Sequence, residues 1–320
     1  MRFSWGFLYE RIHWEVFKKE LMKERGNTVT EIMVSICCIT YNQEKYISET
    51  LEGFLMQKTD FEYEILIHDD ASTDQTAAII KQYETKYPGI IKSIYQKTNQ
   101  YSKGVKIDLT FNFPRAKGKY IALCEGDDYW TDVNKLQLQV EFMEKHANCS
   151  LCTHMAEKIS NDLKNIGYIR PNVGDREYKT DDVIRGGGSA FATNSMMFPT
   201  KLVKELPDFY VKAPVGDYPL AIFLSLYGNV QYIDLCMSAY RVLSIGSWSS
   251  KLEANPEKKR THNKRIETML YEIDEFANYA YTQEIRNYII KQEICLYMKN
   301  LIGQYIPFAG ILWRKIKNIV

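Results

Sequence analysis

The sequence predicts an α/β protein, with helices flanking both faces of a mainly parallel sheet and a helical appendage towards the C-terminus. Three observations carry this. Apolar runs rich in β-branched residues alternate with amphipathic helical patterns between positions 33 and 145, the pattern that a parallel sheet covered on both sides imposes on its chain. Those runs are almost unbroken rather than alternating, as strands buried on both faces require. From about Asn255 onward the chain is rich in helix formers and aromatic residues.

The elements follow in order. Residues 33–39 form the first buried strand, and the polar Thr40, Tyr41, Asn42 and Gln43 make the loop after it. Ile47, Leu51, Phe54 and Leu55, spaced i, i+4, i+7, i+8, give the first helix. A second strand spans 65–68 and ends in the polar turn 69–74. Ser72 with Gln75 reads as a capping box opening a helix through Ile80, Tyr83 and Tyr87. Runs 90–95 and 120–124 supply two more strands, and Asp132 caps a helix carrying Leu136, Val140 and Met143. Beyond about Ser160 the pattern loosens, and Gly186, Gly187 and Gly188 break the chain before the apolar stretch 191–198. The expected divisions are an N-terminal helical segment over 1–31, with Phe7, Trp14, Phe17 and Leu21 at helical spacing, a main domain over 32–240, and a mainly helical region over 241–320.

Composition excludes several classes. In 320 residues, 41 Lys plus Arg against 40 Asp plus Glu leave a formal charge of +1, so no field over the whole chain gathers a polyanion, and nucleic acid is not an expected partner. The 45% hydrophobic and 25% charged content is that of a folded globular protein rather than a disordered, collagenous or coiled-coil chain. Seven scattered Cys, without a short-spaced framework or a secretory signal, predict reduced thiols and a cytoplasmic location. Cys149, Cys152 and His154 have a spacing that suits zinc but lack a second pair nearby. No segment reaches the roughly 18 apolar residues of a membrane span. Arg314, Lys315 and Lys317 among Trp313, Ile316, Ile319 and Val320 form a basic amphipathic ending. It suits either an anionic membrane surface, placing the protein peripherally at the inner face, or docking on the domain. The Gly-rich dinucleotide fingerprint, the P-loop and the Gly-x-Ser-x-Gly elbow are all missing.

Open sheets of this kind bind ligands beyond the carboxyl ends of their strands, where three polar loops fall. The strongest is Glu125-Gly126-Asp127-Asp128-Tyr129-Trp130, three carboxylates in four residues. Their mutual repulsion is relieved by a hard divalent cation, Mg²⁺ or Mn²⁺, which binds through one or two carboxylates plus phosphate oxygens and water. The alternative is a solvated acidic turn. Asp69-Asp70 with Ser72, Thr73 and Asp74 offers acceptors for a nucleobase or ribose, or Asx and capping turns, to which Ser72 and Asp74 belong. His68 at the strand end reads as a packed imidazole. Tyr129 and Trp130 either line a pocket or pack beneath the loop.

Taken together and in order, stretches 34–47, 64–76 and 117–130 resemble the signatures of the inverting nucleotide-sugar glycosyltransferases of family 2, which have the Rossmann-like GT-A fold. The resemblance spans about 32–240. It implies that Thr40, Tyr41, Asn42, Asp69 and Asp70 hold the nucleoside and that Asp127 is the direct ligand of Mg²⁺ or Mn²⁺. Glu125 stands where the family has an Asp, one methylene longer, and contacts metal or ribose, with Asp128 supporting beside it. The stretch 214–220 resembles the one supplying the catalytic carboxylate, which makes Asp217 the general base, the alternative being a helix cap. In Tyr240-Arg241-Val242-Leu243 the last position often carries a His in the family, so diphosphate contact from this stretch falls to Arg241 or is absent. The implied activity is metal-dependent, inverting transfer from a nucleoside-diphosphate sugar to a hydroxyl of a glycan or lipid-linked acceptor in surface polysaccharide synthesis. Departures at Glu125 and Leu243 leave open a catalytically silent nucleotide-sugar-binding or scaffold subunit. A nucleotidyltransferase would need a Gly-rich, Arg-containing loop where Thr40-Tyr41-Asn42-Gln43 stands.

Overall fold

The computed structural model describes residues 31–242 and 255–305. The expectations for the N-terminal helical segment, the basic C-terminal ending and Leu243 fall outside those residues. The predicted alternation is present: β1 (Ile32–Thr40), α1 (Ile47–Leu55), β2 (Glu62–Asp69), α2 (Thr76–Lys86), β3 (Ile91–Tyr95), β4 (Tyr120–Leu123), β5 (Tyr129–Trp130) and α3 (Lys135–Lys145) follow one another. After them come β6 (Cys149–Ile159), β7 (Asn165–Ile169), β8 (Arg176–Tyr178), α4 (Thr180–Gly186), β9 (Met197–Pro199), α5 (Asp208–Lys212), α6 (Asp217–Ser225) and β10 (Asn229–Arg241). The appendage is two long helices, α7 (Pro256–Phe276) and α8 (Thr282–Tyr305).

The sheet runs β3-β2-β1-β4-β9-β6-β10-β5, with β7 added to β6 and β8 to β10. Strands β3, β2, β1 and β4 pair in parallel, as do β6 and β10. β9 runs antiparallel to both β4 and β6, so the two parallel groups point the same way. The carboxyl ends of β1, β2, β4 and β10 therefore meet at one edge.

Side chains of β1 divide between two cores by the two-residue period of a strand. Val34, Ile36 and Cys38 face Ile47, Leu51 and Phe54 of α1 with Leu136 and Val140 of α3. Cys37 faces the other layer, where Phe113, Phe198, Ile222 and Tyr232 pack together with Met269, Leu270, Ile273 and Ile285 of the two appended helices. Those helices thus share the core of the sheet, and the buried Asp274 joins them by accepting from Tyr281 N at 3.0 Å and from Thr282 Oγ1.

Two capping expectations are corrected. Ser72 does not cap α2: its hydroxyl is spent on Asp69, and Asp74 Oδ1 accepts instead from Thr76 N at 2.9 Å. Asp132 sits one turn early, accepting from Asn134 N at 2.7 Å while Asn134 occupies the cap of α3. All seven cysteines are unpaired. Cys149, Cys152 and His154 lie along the single strand β6, each buried.

Candidate active site

The first strand ties the loops of its neighbours to its own end. Thr40 O accepts from Asp70 N at 2.9 Å, Ile39 O from Gly126 N at 2.9 Å, and Cys37 O from Cys124 N at 3.2 Å. The loops so gathered open onto a cleft of about 1440 Å³, and every predicted site residue except Asp69 lines it. Gly126 is required by this closeness, because a Cβ there would lie 2.8 Å from Thr40 Cβ and 2.5 Å from Gln43 Oε1.

Within the acidic loop the three carboxylates differ in environment. Glu125 opens into the cleft, and its carboxyl is pushed up to about 8 by the mass of protein around it, then by the charges of Asp127, Asp217 and Asp108. Asp128 is 1% exposed and held well above the ordinary carboxyl range by burial and by Asp127. Its oxygens are already used: Oδ1 accepts from Arg241 N at 2.8 Å and Oδ2 from Asn194 Nδ2 at 3.0 Å. Asn194 also donates to Ala239 O and accepts from Ser238 Oγ. Asp128 is therefore a brace between the loop and β10, in the supporting place expected for it beside Asp127.

Asp127 and Glu125 both line the cleft. Among the described residues no group of three His, Cys, Asp or Glu side chains is disposed to cage a metal. The donor set fits Mg²⁺ or Mn²⁺ held by one or two carboxylates and completed by phosphate and water oxygens. Burial and then the charges of Asp127, Asp217 and Asp108 raise the Glu125 carboxyl, and a cation beside it would offset those charges.

The nucleoside loops are also partly structural. Both oxygens of Asp69 are taken by Ser72, through its backbone N–H and its hydroxyl, and the carboxylate stays buried off the cleft. This corrects its expected contact with nucleoside. Asp70 lines the cleft and accepts from Gln100 N at 2.7 Å and Tyr101 N at 3.0 Å, folding the segment after β3 over the site. Asn42, at φ 53°, accepts from Thr73 N at 2.7 Å, and its own N–H donates to Ser72 Oγ. Ala71, at φ 66°, is strained more than an Asn would be in this left-handed region. Tyr41 is exposed on the rim, and the buried Thr40 Oγ1 and Gln43 Oε1 beside it lack hydrogen-bond partners.

Arg241 also lines the cleft and is held from several sides. Its side chain is 1% exposed, with Nε donating to Asp127 O and an Nη to Glu49 Oε2, both at 2.9 Å. The guanidinium lies 4.4 Å from the Tyr46 ring centroid and 5.9 Å from that of Tyr129. It clamps the acidic loop from behind, so its fork is not turned to a diphosphate. Trp130 packs: it meets Phe54 edge-on at 4.8 Å and donates Nε1–H to Asn194 O.

Asp217 opens α6, across the cleft from the acidic loop, and its Oδ1 accepts from Tyr218 N at 2.8 Å. Burial raises its carboxyl above the ordinary value, opposed by that backbone bond and by Lys106. Sequence reasoning passed over Lys106 and Asp108, which sit in a stretch, 105–113, that alternates apolar and polar residues. Lys106 Nζ donates to Ala213 O at 2.7 Å and Val215 O at 3.0 Å, fixing the turn before Asp217. Asp108 starts a single π-helical turn, Asp108–Asn112, of the kind often found at functional sites. Lys106, Asp108 and Asn112 on the polar side of that alternation were the signal.

Burial pushes the Asp108 carboxyl up to about 6, with one hydrogen bond from Asn112 opposing the rise. Between about pH 4 and 6 the native state therefore holds a proton that the unfolded chain has released, so stability falls as pH rises through this window. Asp108→Asn is expected to remove that dependence and to stabilise the protein at pH 8 by about 2 kcal/mol. Urea midpoints of both proteins at pH 4.5 and pH 8 check it, and parallel curves for the two would contradict it.

A sequence-family profile described as Glycosyl transferase family 2 matches residues 35–206. An uncharacterized protein of Mycobacterium tuberculosis is 34% identical over 217 residues, 68% of this chain and 61% of the relative. The chain thus spans about three fifths of the length of such curated relatives. The crystal structure of residues 1–349 of Staphylococcus aureus TarS with UDP-GlcNAc aligns at a TM-score of 0.58 and 21% identity, over 76% of this chain and 67% of that one. The curated TarS, a poly(ribitol-phosphate) β-N-acetylglucosaminyltransferase, is 33% identical over 117 residues, 35% of this chain and 19% of its own. A mannosyltransferase from Pyrobaculum calidifontis in complex with GDP-Man and Mn²⁺ aligns at 0.55 with 14% identity, over 94% and 87% of the two chains. Both structures show the fold as GT-A.

Proposed function

Because the chain belongs to glycosyl transferase family 2, we propose that it is a metal-dependent, inverting glycosyltransferase that moves a sugar from a nucleoside diphosphate to a hydroxyl of a glycan or lipid-linked acceptor in surface polysaccharide synthesis. One observation carries the reading: Asp127, Asp217 and the loops after β1 and β2, scattered over 177 positions of sequence (40 to 217), line one cleft at the carboxyl edge of the sheet.

In this reading Thr40, Tyr41, Asn42 and the Asp70 turn receive the nucleoside. Asp127, with Glu125 beside it, holds the divalent cation that offsets charge on the departing diphosphate. Arg241 and Asp128 keep the Asp127 backbone in register for that task. Asp217, from the opposite wall, accepts the proton of the acceptor hydroxyl as its oxygen attacks the anomeric carbon. One displacement from the face opposite the nucleotide inverts the configuration there. The raised Asp217 carboxyl makes it a better proton acceptor than an exposed Asp. No helix among the described residues is long and apolar enough to cross a membrane, and a cytoplasmic site of action at the inner membrane face fits an acceptor carried on lipid.

The test is thermal stabilisation by a panel of nucleoside diphosphates, with Mg²⁺, with Mn²⁺ and with chelator. A ligand that binds only the folded state at 100 times its Kd stabilises by about 2.7 kcal/mol. One nucleotide is expected to raise the melting point only with metal, and Asp127→Ala is expected to abolish that rise. A scaffold subunit would show no metal-dependent response to any of them.

A further inference from the structure

The candidate base stands on a turn short of donors of its own. Residues 213–216 run from the end of α5 to the start of α6. Pro214 brings no N–H to this stretch, and Gly216 at the cap of α6 has no side chain to lend. Asp217, the first residue of α6, accepts from Tyr218 N at 2.8 Å. The carbonyls of Ala213 and Val215, on either side of Pro214, are held from outside: Lys106 Nζ donates to both, at 2.7 Å and 3.0 Å. An ammonium with its three donors can serve two such acceptors at once.

Lys106 reaches the turn from a segment that is itself anchored. Before it, the Asp70 carboxylate accepts from Gln100 N and Tyr101 N. After it, Asp108 accepts from Asn112 Nδ2 at 2.9 Å, and Asn112 Oδ1 accepts in turn from Arg115 at 2.9 Å. Residues 101, 102 and 105–109 of this segment line the cleft. The ammonium is thus fixed at its root as well as at its tip. Its charge acts on the base as well. Lys106 is pushed down to about 8 by burial and then by Arg265, while Asp217 opposes the fall, and Lys106 in return offsets the rise of the Asp217 carboxyl. The other groups facing this pair are Arg265 on α7, Glu125 across the cleft, Tyr240 on β10 and Tyr210 on α5, whose ring centroid lies 5.7 Å from Lys106 Nζ.

We propose that Lys106 is a positioning residue for the general base, fixing the turn that carries Asp217 and setting a cation beside its carboxylate. This rests on the glycosyltransferase reading and deepens it. Lys106→Met and Lys106→Arg are compared with wild type, with Mg²⁺ present throughout, by two measurements. The first is release of nucleoside diphosphate from UDP-GlcNAc, UDP-glucose and GDP-mannose with water as the acceptor: its oxygen attacks the anomeric carbon, its proton passes to Asp217 and the diphosphate leaves. Lys106→Met is expected to lower the rate about tenfold or more, as a small displacement of a catalytic group does, while nucleoside diphosphate binds within about twofold of wild type. Lys106→Arg keeps the charge and the donors and should recover most of the rate. The second is titration of Asp217, followed by the carboxyl carbon resonance that Asp217→Asn lacks. Loss of the neighbouring cation disfavours the ionised form, so the midpoint should move to higher pH in Lys106→Met and stay in place in Lys106→Arg. Where Lys106→Met folds poorly, Lys106→Gln, neutral yet able to donate to one carbonyl, carries the same expectation. An unmoved midpoint in the neutral variant, an Arg variant no better than Met, or a loss of nucleotide affinity equal to the loss of rate each overturns the proposal. The titration uses no substrate, so it decides even where wild type acts on none of the three donors, a separate result that counts against the glycosyltransferase reading itself.

Discussion

Asp217→Asn is expected to lower kcat by about 10²–10⁴-fold while the donor nucleotide binds within about twofold of wild type. The substitution keeps an acceptor oxygen for Tyr218 N, the one backbone bond the side chain makes at the start of α6, so the helix start survives. What it removes is the ability to take a proton. A residue that merely caps α6 would behave the other way, with a lower melting point and near-normal turnover. The pH profile adds a second check. Burial raises the Asp217 carboxyl, so the acid limb of the wild-type rate should lie above the ordinary carboxylate range, with activity lost as pH falls through that raised value. The variant should lack this limb. Near-wild-type kcat in Asp217→Asn would move the base elsewhere in the cleft.

Arg241→Ala is expected to cost about 2–3 kcal/mol of stability and to weaken metal-dependent nucleotide binding by at least tenfold, although the side chain faces away from the donor. Truncation removes the donor to Asp127 O, the partner of Glu49 and the cation between Tyr46 and Tyr129. The figure stays below that for a fully buried pair because Glu49 is 44% exposed and regains water when unpaired. Arg241→Lys should rescue little, since an ammonium cannot span two acceptors in a plane and stack as well. Denaturant melts together with nucleotide titrations in Mg²⁺ read both effects. Normal nucleotide affinity in a destabilised Arg241→Ala would show that the acidic loop holds its shape without the clamp.

What the sequence disclosed and what it hid divide along physical lines. The buried strands of the parallel half announced themselves, because Val34, Ile36 and Ile65 must be apolar on both faces, and the α1 stripe of Ile47, Leu51 and Phe54 repeats at helical spacing. The acidic loop with Asp127 was legible because it follows the buried strand β4, and Asp217, at the start of α6, through the resemblance of 214–220. Side-chain direction was not. Asp69 and Asp70 are neighbours of one type, yet one closes its own turn on Ser72 and the other opens onto the cleft. Asp128 and Arg241 find each other across 113 positions, and no local pattern encodes such a meeting. Lys106 and Asp108 escaped because 105–113 alternates with the period of a strand, whereas Asp108–Asn112 folds as a π-helical turn. The short antiparallel insertions β5, β7, β8 and β9 lacked enough residues to display alternation.

The cleft draws on well-separated stretches, with strand ends before Trp130 giving part of its floor and α7 after Pro256 part of its rim. Selection can therefore act on what is given and on what receives it through different portions of one gene. The brace through Asp128, Asn194 and Arg241 marks where such independence ends. Hybrids of related enzymes that exchange the rim should inherit a new acceptor only when the junction leaves those three residues from a single parent.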